Sequence, residues 1–258
     1  PGTVMESSML DESVNNYICS AFSSDKSIGL CFCDISTGKL NVTSIDGKNT
    51  VSQLKSQLTS YAPKEIILGG KIKDNKDLLS FISDKLSCFV GTAQDESCGF
   101  LECSDVVLSQ FGTKQAEVLS GNKDIIISLG VLLNYLKDTQ KTGLERIETI
   151  ELYSDDQYMS LDYNTRRNLE LTQTMRTKEK KHSLLWVLDK TKSAAGARML
   201  KMWIEHPLLS VSEILRRQNA VTELFESYIL REDIADLMDG VLDLERLVAR
   251  VVFGSANA

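Results

Sequence analysis

The sequence lacks the features of a membrane or secreted protein. None of its apolar runs approaches the about 18–20 residues that a membrane helix needs, and its start has no basic stretch followed by an apolar one. We therefore predict a cytoplasmic protein that makes no membrane contact. Hydrophobic residues make up 42% and charged residues 25% of the chain, and these ordinary globular values exclude a disordered or collagen-like protein.

The sequence also lacks the common motifs of nucleotide binding and acid–base catalysis. It contains neither G-x-x-x-x-G-K-[ST] nor G-x-G-x-x-G, and we interpret Gly69-Gly70 as a tight turn after a strand. Two histidines, His182 and His206, leave few candidates for a general base. The six cysteines form no C-x-x-C pair or zinc quartet, so we expect reduced, mostly buried thiols.

Arginine is absent from residues 1–142, whereas all ten arginines lie in residues 143–258. Eleven of the 15 glycines and all six cysteines lie in the first of these ranges. Such a change in composition indicates turn-rich α/β structure followed by long helices, so we predict a domain boundary near residue 142. The net charge of −7 means that any contact with DNA has to be local or indirect.

The first domain should be a mixed sheet covered by helices. Residues 28–35 and 40–45 flank a turn and predict a hairpin. Residues 51–61 have helical spacing, and 65–68 read as a buried parallel strand. Residues 125–136 are apolar almost all round, which predicts a deeply packed helix.

The second domain should be helical throughout. Ser183 and Ser193 are placed to begin helices, and Ser210 with Glu213 has the spacing of a capping box. The start at Pro1 without an initiator Met, and a helical pattern that runs up to Ala258, predict a piece of a longer protein. Leu244, Leu247, Val248 and Val251 form an amphipathic stripe, which predicts a further helix.

Asp34 lies at the end of an apolar segment that we predict to be the first strand, the position at which RNase H-like nucleases hold a metal-binding carboxylate. Two-metal chemistry needs further carboxylates that converge on it, and no spacing in the sequence directs any towards Asp34. The other interpretation is that Asp34 accepts hydrogen bonds from amides of the turn. A metal-dependent nuclease therefore remains an alternative function.

The sequence has one basic cluster, which we interpret first as a solvated linker between two helical segments: Arg166, Arg167, Arg176, Lys178, Lys180 and Lys181. Arg176, Lys178, Lys180 and Lys181 are candidate contacts to DNA phosphates, which would make an independent DNA-binding helical module a further alternative. No aromatic residues are interleaved with these cations, which argues against stacking on single strands. Some of the arginines should instead form bidentate pairs with carboxylates. Asp243 and Arg246, at positions i and i+3, are candidates for such a pair.

Three ordered blocks of the second half form a recognisable pattern. The first contains Thr165-Arg166-Arg167-Asn168-Leu169, the second runs from Ser183 to Pro207-Leu208, and the third contains Asp243-Leu244-Glu245-Arg246-Leu247. In this order they resemble the core domain of the MutS family of DNA mismatch repair proteins. Asp34-Ile35-Ser36-Thr37-Gly38 is similar to the first hairpin of that family's connector domain. His182 departs from the pattern, because the family usually has glycine there.

The resemblance implies an RNase H-like α/β connector domain at 1–142 without catalytic metals, followed by the first part of an all-α core domain at 143–258. It marks Arg166, Arg167, Asn168, Asp243 and Arg246 as structural or interface residues. No catalytic, cofactor-binding or metal-binding residue is carried over, because the ATP and magnesium of the family bind in an ATPase domain that matches nothing in this sequence. The implied partners are the remaining domains of the longer protein, the protein MutL through the connector, and mismatched double-stranded DNA through the full-length dimer.

These expectations give one leading hypothesis for function. A ligand shifts a distant equilibrium only through differential contacts, so ATP and DNA sites can influence each other only through packed elements with more than one arrangement. We expect this chain to transmit such changes and to catalyse no reaction itself.

Overall fold

The computed structural model describes residues 11–24, 27–140, 144–154 and 157–252. The chain folds as two units. Of the described residues, 15–154 and 245–252 belong to the first unit, and 11–14 and 157–244 to the second. The change in composition at 142 therefore comes before the point where the chain leaves the first unit.

A mixed sheet in the order β5-β4-β1-β2-β3-β6 forms the centre of the first unit. Its strands are β1 (Tyr17–Ser23), β2 (Ser27–Asp34), β3 (Lys39–Asp46), β4 (Glu65–Gly70), β5 (Phe89–Thr92) and β6 (Glu151–Leu152). β2 runs antiparallel to both β1 and β3, whereas β4 is parallel to β1 and β5, and β6 is parallel to β3. The predicted hairpin and the predicted parallel strand are both confirmed.

Among the described residues, four α-helices lie wholly in the first unit: α1 (Thr50–Tyr61), α2 (Lys76–Lys85), α3 (Phe100–Val118) and α4 (Lys123–Gln140). Alternate residues of the central strands enter two separate apolar clusters, because successive side chains of a strand point to opposite faces. Ile18 and Cys33 pack with α3 and α4, while Cys19 and Phe32 pack with α1 and α2. This two-sided cover explains why β1 is buried along its whole length.

The helix α4 lies directly against the sheet, as its apolar sequence predicts. A Cβ added to Gly29 in β2 would lie 2.1 Å from the backbone of Asp124, so only glycine permits this approach. Side chains such as Leu129, Leu132 and Leu136 are fully buried. None of the helices among the described residues is long and apolar enough to cross a bilayer.

Six helices follow: α5 (Tyr163–Asn168), α6 (Leu184–Leu188), α7 (Ala194–Glu205), α8 (Val211–Glu226), α9 (Tyr228–Met238) and α10 (Leu244–Val252), the last belonging to the first unit from Glu245 onward. Ser183 and Ser193 cap α6 and α7 by accepting hydrogen bonds from the amides of Trp186 and Gly196, each at 3.2 Å. The capping box predicted at Ser210 is wrong. Its hydroxyl lies 2.9 Å from the hydroxyl of Ser212 and caps no amide.

The second half is not helical throughout, because most of the basic cluster lies in the predicted linker, between α5 and α6. Residues 169–183 form turns, because Glu170, Lys178 and His182 have φ values of 49°, 57° and 73°, which no α-helix contains. At His182 this is the left-handed region that favours glycine.

Several apolar side chains of α8, α9 and α10 are exposed, including Phe225 (77%), Leu237 (78%) and Val251 (66%).

Candidate functional site

Asp34 lies at the turn between β2 and β3, and hydrogen bonds occupy both of its carboxylate oxygens. Oδ1 accepts from the amide and the hydroxyl of Ser36, at 2.9 and 2.5 Å, and Oδ2 accepts from the amide of Asn16 at 3.2 Å. The side chain is fully buried. No group of three or more metal-ligating side chains occurs among the described residues. The predicted role of Asp34 in the turn is confirmed.

The six cysteines lie in the first unit as free thiols, as the sequence predicts. Cys19, Cys31, Cys33 and Cys103 are buried, and the other two are partly buried. Burial raises the pKa of the Cys31 thiol to about 12, so this thiol stays protonated and unreactive at neutral pH.

The most unusual side chains of the helical unit are two buried arginines paired with carboxylates. The first is Arg166 on α5. Asp162 caps α5 by accepting from the amide of Thr165 at 2.7 Å, and its pKa is held low by hydrogen bonds from Thr165. Arg166 then donates from Nε to the carbonyl oxygen of Leu161 at 2.9 Å and pairs with Glu205 at the end of α7. The side chains of Arg166 and Glu205 are each 9% exposed.

The charges of this pair are desolvated. Burial raises the pKa of Glu205, and the nearby guanidinium of Arg166 opposes that rise. His206 follows Glu205, and burial lowers the pKa of its imidazole to about 4, so His206 is neutral at pH 7. Arg166 comes first among the groups that compensate this burial, followed by the charge of Lys201 and a hydrogen bond from Thr172.

The second pair joins Arg198 of α7 to Asp243. Both carboxylate oxygens of Asp243 accept from the guanidinium, with Nη2 at 3.1 Å from Oδ1. Nη1 also donates to the carbonyl oxygen of Glu12 at 3.0 Å. Arg198 and Asp243 are 5% and 7% exposed, so this is a buried bidentate pair.

Arg198 and Glu205 are seven residues apart on α7, which places them on one face two turns apart. This face of α7 therefore binds three segments that are distant in sequence, namely α5, the residues before α10, and residues 11–14. We call Arg166, Glu205, Arg198 and Asp243 the arginine clamp.

The structure separates the candidate residues of the sequence into three groups. Arg166 and Asp243 belong to the arginine clamp, whereas Arg167 and Asn168 are exposed on α5. Arg246 is buried in the first unit. Sequence reasoning missed Arg198 and Glu205 as partners, because the pairs join residues 45 and 39 positions apart and no local spacing indicates them.

The candidate DNA-phosphate contacts, Arg176, Lys178, Lys180 and Lys181, are all exposed in the turns between α5 and α6. Lys180 forms an ion pair with Asp189, with Nζ 2.5 Å from Oδ2. The others have no ion pair to a carboxylate within the described ranges.

Two family models match the chain. The one described as MutS domain II matches residues 16–148, and the one described as MutS domain III matches residues 164–258. Similar curated proteins carry the name DNA mismatch repair protein MutS. The chain is 39% identical over 257 residues to the protein of Ruminiclostridium cellulolyticum, and 37% identical over 259 residues to that of Acetivibrio thermocellus. Both matches cover 100% of this chain and 29% of the relative, so the chain spans less than a third of the length of these relatives.

Proposed function

Because the chain belongs to the MutS family of DNA mismatch repair proteins, we propose that it works as a relay between the mismatch-binding and ATP-hydrolysing parts of a longer protein. Its match to MutS domains II and III over 29% of the relatives' length supports a role as part of a larger machine. The chain catalyses no reaction in this proposal. ATP and magnesium bind outside it, and mismatched double-stranded DNA is bound by the full-length dimer in the cytoplasm.

The arginine clamp carries the proposal. A relay needs an element with discrete arrangements, because a continuously deformable segment would absorb a displacement without passing it on. The clamp joins three segments that are distant in sequence to one face of α7 through buried charged groups. Because these groups are buried, water cannot take over their hydrogen bonds one at a time. Breaking a buried pair is costly, so the clamp favours closed or open states over intermediate ones.

The first unit is, in our proposal, an RNase H-like connector that offers a surface to MutL. The order β5-β4-β1-β2-β3, with β2 antiparallel to its neighbours, supports the fold assignment. The hydrogen bonds that occupy Asp34 favour a structural over a catalytic use of this fold. The contact with MutL rests on family membership alone.

The test uses the longer protein and the conservative change Arg198→Lys. Lysine keeps the charge but cannot donate two parallel hydrogen bonds to Asp243, so we expect the clamp to loosen. Coupling between two sites is typically about 1–3 kcal/mol, and we expect Arg198→Lys to reduce the ATP-induced change in affinity for a mismatched duplex severalfold. By linkage, the effect of DNA on ATP affinity should fall by the same factor.

The matched control is Arg216→Lys, the same change at an arginine that is 80% exposed and 3.6 Å from Glu213. This control should leave both affinity ratios unchanged. A folded Arg198→Lys protein with the full ATP-induced change in DNA affinity would refute the relay.

A further inference from the structure

The turns around α6 carry a concentration of positive charge. Residues 174–192 contain six lysines and arginines against Glu179 and Asp189, a net charge of +4 within a chain of net charge −7. Asp189 is already engaged, because Oδ2 binds Lys180 at 2.5 Å and Oδ1 accepts from the hydroxyl of Thr191 at 2.6 Å. Five cations remain exposed, and none forms an ion pair with a carboxylate in the part of the chain that the structure describes: Arg176, Lys178, Lys181, Lys190 and Lys192.

These cations lie on turns with a defined shape. The amide of Thr174 donates to the carbonyl oxygen of Glu179 at 2.9 Å, and the amide of Lys178 donates back to Thr174 at 3.0 Å, which closes the first turn. The ion pair between Lys180 and Asp189 then joins this turn to the end of α6, next to Lys190. The five charges are thereby presented from two adjoining turns.

An exposed tryptophan lies on the helix between the two turns. Sequence reasoning found no aromatic residues interleaved with the cations, but α6 places the indole of Trp186 beside the imidazole of His182, with ring centroids 5.1 Å apart and ring planes tilted by 56°. Trp186 is 44% exposed, although a tryptophan in a folded protein is usually well buried. Exposed rings beside cations are the combination on which unpaired bases stack while their phosphates are neutralised.

We propose that this surface binds single-stranded nucleic acid, with the indole of Trp186 stacking on a base beside His182, and Arg176, Lys178 and Lys181 contacting phosphates. A duplex fits less well, because its bases are stacked on one another and offer no free face to the indole. An acidic protein could form ion pairs with the cations but would bring no base to stack on the exposed ring. The proposal is independent of the relay, because none of its residues belongs to the arginine clamp.

The test measures binding of the chain to fluorescently labelled oligo-dT, to a duplex of the same length and to polyglutamate. We expect oligo-dT to bind more tightly than either competitor. Affinity falls as salt rises, and each phosphate contact on a single strand contributes about 0.7 to the steepness of log affinity against log salt. The triple variant Arg176→Gln, Lys178→Gln, Lys181→Gln should therefore make this dependence shallower by about 2. The control variant Lys48→Gln, Lys85→Gln, Lys114→Gln removes three exposed lysines of the first unit and should leave the slope unchanged.

The stacking step has its own measurement. Trp186→Ala should weaken oligo-dT binding about tenfold or more, and Trp186→Phe should retain most of it. In a Trp203→Phe chain, Trp186 is the single tryptophan, and its fluorescence should be quenched by oligo-dT even if Trp186→Ala does not fold. Equal effects of the two triple variants, tighter binding of duplex or polyglutamate, or unquenched Trp186 fluorescence at saturating oligo-dT would each overturn the proposal.

Discussion

Replacing Arg166 by leucine should lower the free energy of unfolding of the chain by about 3–5 kcal/mol. The change leaves the carboxylate of Glu205 buried without its guanidinium, and removing one partner of a buried pair costs far more than the pair contributes. Urea denaturation at neutral pH measures the loss. Arg167→Leu is the matched control, because Arg167 is the next residue of the same helix but is exposed. It should change stability by less than about 0.5 kcal/mol.

The loss should also depend on pH in a defined direction. Burial already raises the pKa of Glu205, and the guanidinium that opposes this rise is gone in the variant. When the pKa of a carboxyl group is higher in the folded than in the unfolded state, folding favours the protonated form. The contribution of the group to the free energy of unfolding is therefore complete below the unfolded pKa of about 4.3, and it is lost as the pH rises through the folded pKa. The difference between the variant and the unchanged chain should therefore be smaller at acidic than at neutral pH. A loss that is equal at both would show that Glu205 is not the group left uncompensated.

Replacing Arg198 by leucine should have an effect of similar size, about 3–5 kcal/mol, because it leaves Asp243 buried without its bidentate partner. It also removes the donor to the carbonyl oxygen of Glu12. The double variant Arg198→Leu, Asp243→Leu should recover much of the loss, since an apolar pair of similar volume carries no uncompensated charge. Thermal and urea unfolding of both singles and the double variant give the comparison. A double variant as unstable as the sum of the singles would mean that the two side chains act independently.

The hairpin of β2 and β3 and the strand β4 could be predicted because their signals are local, whereas the central strand β1 was not predicted. Asp34 followed by Ser36-Thr37-Gly38 defines a turn within five residues, and α4 is recognisable from its own apolar sequence. In such elements the pattern and the structure depend on the same neighbouring residues.

The limits of the first unit could not be predicted in this way. Composition changes near residue 142, but Leu152 still pairs with Val42 of β3, and the carbonyl oxygen of Tyr153 accepts from the hydroxyl of Thr43 at 2.8 Å. These contacts span more than a hundred positions and keep residues 144–154 with the sheet.

The arginine clamp was predicted only in part. The sequence indicated that arginines such as Arg166 should pair with carboxylates, because isolated buried guanidinium groups are very costly. It could not supply Glu205 as the partner, nor direct Asp243 to Arg198, because tertiary packing decides both. The bidentate partner of Asp243 comes from α7, and no local spacing around Asp243 indicates it.

The most direct test of the relay is a double-mutant cycle on Arg198 and Asp243 in the longer protein, read as ATP-dependent release of a mismatched duplex. We predict that each leucine substitution reduces the ATP effect and that the double variant is no more impaired than either single. That pattern corresponds to an interaction energy of about 1–2 kcal/mol between Arg198 and Asp243, measured in the free energy that couples ATP binding to DNA release. Folded variants whose ATP-dependent release is unchanged, or whose effects simply add, would contradict the account.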